Sequence, residues 1–292
     1  MPSSGDSPNH AWRTTEGRYR PVIAAEPPPK SVLAGFRVSG TPVSLDGGQG
    51  SSWRAGRTVL KPLDLTEAEL AWQEELFASI ACDGIRVAHP LRARNGSLVV
   101  GGWCAWEAFE GRHEQRRWAD VIAVGERFHA ALADVPRPGF IARRTDGWAI
   151  GDRVAWGELP ASGFAHVKHV ARLASLLEPV TAPSQLVHGD LTGNVLFDDR
   201  LPPAVIDFSP YWRPTAFASA VVVADALVWE GADENVLAAV AHVGDFGQYL
   251  LRALIYRIVT HAVFRPDEPH YPDDADPYLP AVELACRLAG RP

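Results

Sequence analysis

The sequence predicts an α+β fold, on three observations. Residues 31–110 carry short β-type runs broken by turn residues, with a single helical pattern among them. From Glu114 onward apolar residues recur at helical spacing. A pair of apolar runs joined by a proline-containing turn interrupts the helical part between His188 and Ser209.

The elements follow in chain order. Residues 1–30 are rich in Ser, Pro, Asn and Thr and contain Pro27-Pro28-Pro29, the composition of a flexible leader. Residues 31–110 read as a first, β-rich domain. There, Gly47, Gly48 and Gly50 with Ser51 and Ser52 make a turn whose backbone can approach a ligand closely and whose hydroxyls add donors. The run Arg57–Lys61 reads as a strand ending in one of only three lysines, the others being Lys30 and Lys168. Thr66 and Glu69 form a capping box that opens a helix. Glu74 falls on the Leu70–Phe77 stripe, where a charge needs a partner; Lys61 is the natural one, and Glu69 is the alternative carboxylate. A strand near Ser97–Val100 leads into an aromatic segment with Trp106 and Phe109.

Residues 111–292 read as a helical domain. Trp118, Val121, Ile122, Phe128 and Leu132 suit a long helix, and Phe164 to Leu177 a second. Further helices are predicted near 215–229, 234–243, 246–263 and 278–289, with Asp245 a cap for the third of these. Between them lies His188-Gly189-Asp190-Leu191-Thr192-Gly193-Asn194-Val195-Leu196-Phe197, a turn, and then Ala204-Val205-Ile206-Asp207-Phe208-Ser209. Two carboxylates, Asp190 and Asp207, and the Asn194 amide can thereby gather around one point. Phosphoryl transfer from a nucleotide needs such a set: one carboxylate for the attacking hydroxyl, and an Asn and a second carboxylate for Mg²⁺.

Composition narrows the field. The net charge of −7 argues against nucleic acid or an anionic membrane as partner. Cys82, Cys104 and Cys286 are odd in number and far apart, which predicts free thiols in a reducing cytoplasm. The apolar run Ala216–Trp229 is too short to span a bilayer, which takes ~20 residues.

The wording HGDLTGNVLF…VIDFS resembles the aminoglycoside phosphotransferase and choline-kinase-like family, in particular an actinobacterial subgroup of it. That resemblance covers roughly residues 31–290 and implies a two-lobed, protein-kinase-like fold with ATP between the lobes. It implies Asp190 as catalytic residue and Asn194 and Asp207 as Mg²⁺ ligands. Lys61, paired with Glu74, would meet the nucleotide phosphates, as would Gly48, Gly50, Ser51 and Ser52. Trp106 to Phe109 would be the hinge between the lobes, with its backbone groups meeting the adenine edge. The acceptor would be a small molecule bearing a hydroxyl, with Asp225, Trp229, Glu230 and the acidic 267–276 segment as its expected wall. His188 is expected to support the loop rather than act as a base.

Two departures are visible. Gly189 stands where regulated protein kinases carry an Arg, and no A-P-E triplet follows Asp207, which disfavours a protein kinase. Asp190 and Asn194 are four positions apart instead of five; a tight turn at Thr192-Gly193 would absorb the difference. Without such a turn, a nucleotide-binding regulatory protein lacking phosphotransfer is the alternative.

Overall fold

The computed structural model describes residues 26–45 and 51–290, together with the backbone of two short paired strands, β1 (Thr14–Thr15) and β2 (Arg18–Tyr19). The leader expected at 1–30 therefore lies mostly outside the described residues, and so do Gly48 and Gly50. The chain divides into two compact units. One gathers Arg20–Glu114 and Gly193–Asp207; the other gathers Gln115–Thr192 and Phe208–Pro292.

The first unit is built on a five-stranded antiparallel sheet. It contains β3 (Val43–Ser44), β4 (Trp53–Ala55), β5 (Thr58–Pro62), β7 (Val99–Val100) and β8 (Trp103–Glu107), in the order β3-β4-β5-β8-β7. The short strand β6 (Arg86–Val87) lies outside this sheet. Leu60 of β5 and Ala105 of β8 face each other in the register and are fully buried, with Val32, Phe36 and Ala93 around them. Val32 belongs to α1 (Lys30–Gly35), a helix the sequence reading did not resolve. Helix α2 (Glu67–Ser79) starts where expected. Thr66 Oγ1 accepts from the Glu69 amide and Glu69 returns a carboxylate to the Thr66 amide, closing the capping box.

The Gly193–Asp207 segment joins this unit as a hairpin. β10 (Val195–Leu196) pairs antiparallel with β11 (Ala204–Val205), and β11 pairs parallel with β6. Its turn is set by Asp198, whose Oδ1 accepts from the amides of Arg200 and Leu201.

The second unit is helical around one two-stranded sheet. β9 (Gln185–His188) pairs antiparallel with β12 (Pro210–Arg213). Its helices are α3 (Trp118–Ala131), α4 (Gly147–Ala155), α5 (Val170–Ala174), α6 (Thr215–Trp229), α7 (Phe246–Phe264) and α8 (Leu279–Ala289). α7 is buried along nearly its whole length and packs against α4, α5, α6 and α8. Two helical expectations need correction. The segment 164–177 is not one helix: a 3₁₀ turn, Ala161–Phe164, precedes the short α5, and His169 between them has φ +72°. Lys168 and His169 are drawn to Asp276, and that tertiary pull outweighs the apolar period. The segment 234–243 is a 3₁₀ helix over Glu234–Val240. No helix among the described residues is long and apolar enough to cross a membrane.

Candidate active site

In the first unit, Lys61 and Asp207 meet although 146 residues separate them in sequence: Lys61 Nζ donates to Asp207 Oδ1 at 2.6 Å. Strand β5 delivers Lys61, whose backbone faces Cys104 of β8. The hairpin delivers Asp207, because the Ile206 amide donates to the Asn194 carbonyl at 3.0 Å and extends the β10–β11 ladder to its last residue. Asn194 and Asp207 thus sit at the same open end of the hairpin. Asp207 has φ +50°, a left-handed conformation that Asp adopts more readily than most residues and that is typical of functional sites.

The Lys61 side chain is about one-tenth exposed. Burial alone would lower its pKa, but the carboxylates of Asp207 and Asp64 outweigh burial and hold it above the usual lysine range. Its ammonium also lies 5.8 Å from the Trp106 ring centroid. Lys61 therefore stays a cation throughout the physiological range.

The expected Lys61–Glu74 pair is not formed. Glu74 instead takes a two-point contact from the Arg92 guanidinium, with Arg92 Nε donating at 2.7 Å. The cause is helix phase. The buried residues of α2 are Leu70, Gln73, Leu76 and Phe77, so Glu74 lies at the flank. Apolar residues occur all round this helix, and the sequence pattern did not fix which stripe faces inward. Glu69 is spent on the capping box.

Ser51 is buried and Ser52 half-buried just ahead of β4, and the Leu45 amide donates to the Ser52 carbonyl at 3.0 Å. That bond closes the base of the glycine-rich segment, of which residues 46–50 lie outside the described residues. Trp106 is a buried sheet residue paired with Val59 in the register. The Phe109 ring lies under the Arg86 guanidinium at 5.0 Å. The amides of Glu107 and Ala108 are used by the carbonyls of His89 and Arg57.

In the second unit, Asp190 sits on a loop that is fixed from several sides. The Gly189 amide donates to the Ser209 carbonyl, and the Asp190 amide donates to His188 Nδ1 at 3.2 Å. The His188 amide in turn donates to His129 Nε2 of α3 at 3.0 Å. Both imidazoles accept, so both are neutral at those nitrogens. Burial and the neighbouring His188 push the His129 pKa down to about 3. His188 is fully buried beside Phe128 and Phe208. Gly193, the first residue of the hairpin segment in the first unit, has φ +80°, the left-handed backbone expected of a tight turn at Thr192-Gly193.

The Asp190 carboxylate has a partner that sequence reasoning missed. Arg257 Nη2 of α7 donates to Asp190 Oδ1 at 2.7 Å. The same guanidinium donates twice to Asp225 of α6, from Nε at 2.8 Å and Nη2 at 2.5 Å. A signal existed: Asp225 interrupts one apolar helix and Arg257 another, and buried opposite charges must pair. Asp225 is therefore no part of an acidic substrate wall. Among its expected companions, Glu230 accepts from Trp118 Nε1 at 2.6 Å, and Asp273 and Asp276 hold Lys168.

The family model for APH, the phosphotransferase enzyme family, matches residues 51–211, a stretch that includes Lys61, Asp190, Asn194 and Asp207. No curated protein sequence matches the chain. Several solved structures do in fold. A thermostable mutant of aminoglycoside phosphotransferase APH(4)-Ia, in ternary complex with ADP and hygromycin B, has TM-score 0.59 at 14% identity, covering 88% of this chain and 96% of that one. An aminoglycoside phosphotransferase from Alicyclobacillus acidocaldarius has TM-score 0.57 at 15% identity, with coverages of 91% and 94%. A microcompartment-associated aminopropanol kinase has TM-score 0.58 at 16% identity, with coverages of 88% and 93%. At these identities the likeness carries the α+β, kinase-like fold. Since the family match spans more than half of the sequence, the chain belongs to the phosphotransferase enzyme family.

Proposed function

We propose that the enzyme transfers the terminal phosphoryl group of ATP to a hydroxyl of a sugar, aminoglycoside-like compound or amino alcohol, with Mg²⁺. The observation that carries this reading is the pairing of Lys61 with Asp207 at 2.6 Å across 146 residues of sequence. A hairpin that delivers a carboxylate to a buried strand lysine suits polyphosphate and its cation. The ADP and hygromycin B of one similar structure and the activity of the aminopropanol kinase agree with nucleotide and acceptor classes of this kind.

Asp207 and Asn194 offer hard oxygen donors at one end of the hairpin, which fit Mg²⁺. Two such ligands would leave the rest of the coordination of Mg²⁺ to substrate phosphates and water. When bound, Mg²⁺ would neutralise charge on the phosphates. Lys61 exchanges part of its contact with Asp207 for phosphate oxygens. Ser51 and Ser52, just ahead of β4, offer hydroxyl donors to those oxygens. Asp190 orients the acceptor hydroxyl and takes its proton as the phosphoryl group leaves ADP. Positioning and charge stabilisation supply most of the acceleration.

Calorimetric titration of ATP, with and without Mg²⁺, on the wild type and on Asp207→Ala tests the nucleotide half. Binding is expected to weaken on removal of either the metal or the carboxylate. ADP release over a panel of sugars, amino sugars and amino alcohols tests the other half, and Asp190→Asn is expected to lower kcat by on the order of 10²–10⁴-fold. Nucleotide binding that is metal-independent and never followed by turnover would point instead to a nucleotide-binding regulatory protein.

A further inference from the structure

Resting on the role proposed for Asp190, we propose that Arg257 is a positioning residue for catalysis: gripped by Asp225, it fixes the Asp190 carboxylate in its working orientation. Asp190 lies outside regular secondary structure, and its side chain is 40% exposed. An exposed carboxylate on a loop has rotational freedom, and productive transfer requires a fixed direction of attack. Arg257 restricts that freedom from below. Its own side chain is only 11% exposed and Asp225 is nearly inaccessible at 4%, so the anchor is inside the helical unit while the carboxylate that it holds reaches outward.

The geometry explains why the residue is an arginine. Two donors, Nε and Nη2, go to the two oxygens of Asp225 and set the plane of the guanidinium. Once that plane is set, the direction of Nη2 toward Asp190 Oδ1 is set as well. The rings of Tyr256 and Trp148, at 5.2 and 5.8 Å from the guanidinium carbon, pack against it. A lysine would offer a single point charge with no plane and could not hold both carboxylates in a fixed relation. The cation has a second task. Asp190 is close enough to raise the charging cost of Asp225, and Arg257 donates to both. Removing it leaves two neighbouring carboxylates without their shared counter-charge.

The test uses the full chain with Mg²⁺-ATP as probe and water as acceptor, reading ADP release for kcat and calorimetry for the ATP Kd. Arg257→Lys is expected to lower kcat by on the order of 10²-fold while the ATP Kd stays within about twofold. Combining Arg257→Lys with Asp190→Asn is expected to lower kcat no further than Asp190→Asn alone, because both act through one carboxylate. If Arg257→Lys does not fold, Asp225→Asn serves: it leaves Arg257 in place with a weakened grip, and is expected to show a smaller loss of kcat at unchanged ATP Kd. Wild-type kcat in either single variant, or losses that multiply in the double variant, would overturn the inference. Should Asp190→Asn itself leave ADP release unchanged, the proposed role of Asp190 fails, and this inference with it. An impaired Asp190→Asn beside an unimpaired Arg257→Lys overturns the positioning role alone.

Discussion

At the scale of single residues, the loop around Asp190 is specified as much by space as by charge. Gly189 precedes Asp190, and its φ lies outside the left-handed region, so conformational freedom is not why it is glycine. A Cβ there would collide with the ring of Tyr211. Tyr211 cannot yield: it is buried, its hydroxyl meets that of Tyr256 at 3.0 Å, and the Arg144 guanidinium stacks on it at 5.1 Å. The missing charge at Gly189, apparent from sequence, is thus accompanied by a steric demand that only tertiary structure reveals. Gly189→Ala is expected to destabilise the protein by about 1–3 kcal/mol, the usual range for overpacking a filled site. It should also lower turnover more than ATP affinity, since the displaced atoms adjoin Asp190. Urea unfolding alongside kcat and ATP Kd would check both, and an unperturbed urea midpoint would refute the steric account.

At the scale of elements, α7 reaches Asp190 because α4 lets it pack closely. Gly147 and Gly151 of α4 are four residues apart and share a face. They meet Tyr256, Thr260 and Phe264 of α7, which repeat with the same spacing and flank Arg257. The two glycines are not equivalent. A Cβ at Gly151 would lie 2.7 Å from the Tyr256 carbonyl oxygen as well as against the Thr260 hydroxyl, and backbone cannot step aside. A Cβ at Gly147 would lie 2.8 Å from the edge of the Phe264 ring, a side chain at the end of α7. Alanine gains ~1 kcal/mol over glycine in a helix interior. That gain belongs to Gly151, inside the helix, where it falls short of a clash with backbone; Gly147 is the first residue of α4, and there the cost is a shift of the Phe264 and Val263 side chains. Both changes are therefore expected to be destabilising, Gly151→Ala clearly the more so, as thermal unfolding of the two variants would show; equal shifts would mean that the helices adjust freely.

For the whole molecule, what the sequence disclosed and what it withheld divide along one line. The hairpin carrying Asn194 and Asp207 was legible because its turn chemistry, strand length and spacing are local. Helices α6, α7 and α8 were legible from their apolar period to within a residue or two, although Asp245, expected to cap α7, makes no side-chain cap bond to it. The partners of Glu74 and Asp225 were not, since Arg92 and Arg257 are chosen by tertiary packing. The two-histidine latch belongs to the second kind: nothing local joins His129 of α3 to the His188 amide. This latch sets a global property. His129 is lowered from the ordinary 6.5 to about 3, so the folded state declines a proton that the unfolded state accepts. Its contribution to stability is full above pH 6.5 and is lost progressively as pH falls toward 3, at roughly 1.4 kcal/mol for each pH unit. His261, also lowered by burial, adds a slope of the same sign, and Asp146, held low by Arg144 despite burial, adds its own below the carboxylate range. A comparison isolates His129. In His129→Gln the side-chain oxygen can still accept from the His188 amide, but it does not titrate. The variant's unfolding free energy, followed in urea from pH 7 to pH 4, is expected to fall less steeply than the wild type's. Parallel curves would show that His129 is not the group that makes this fold sensitive to acid.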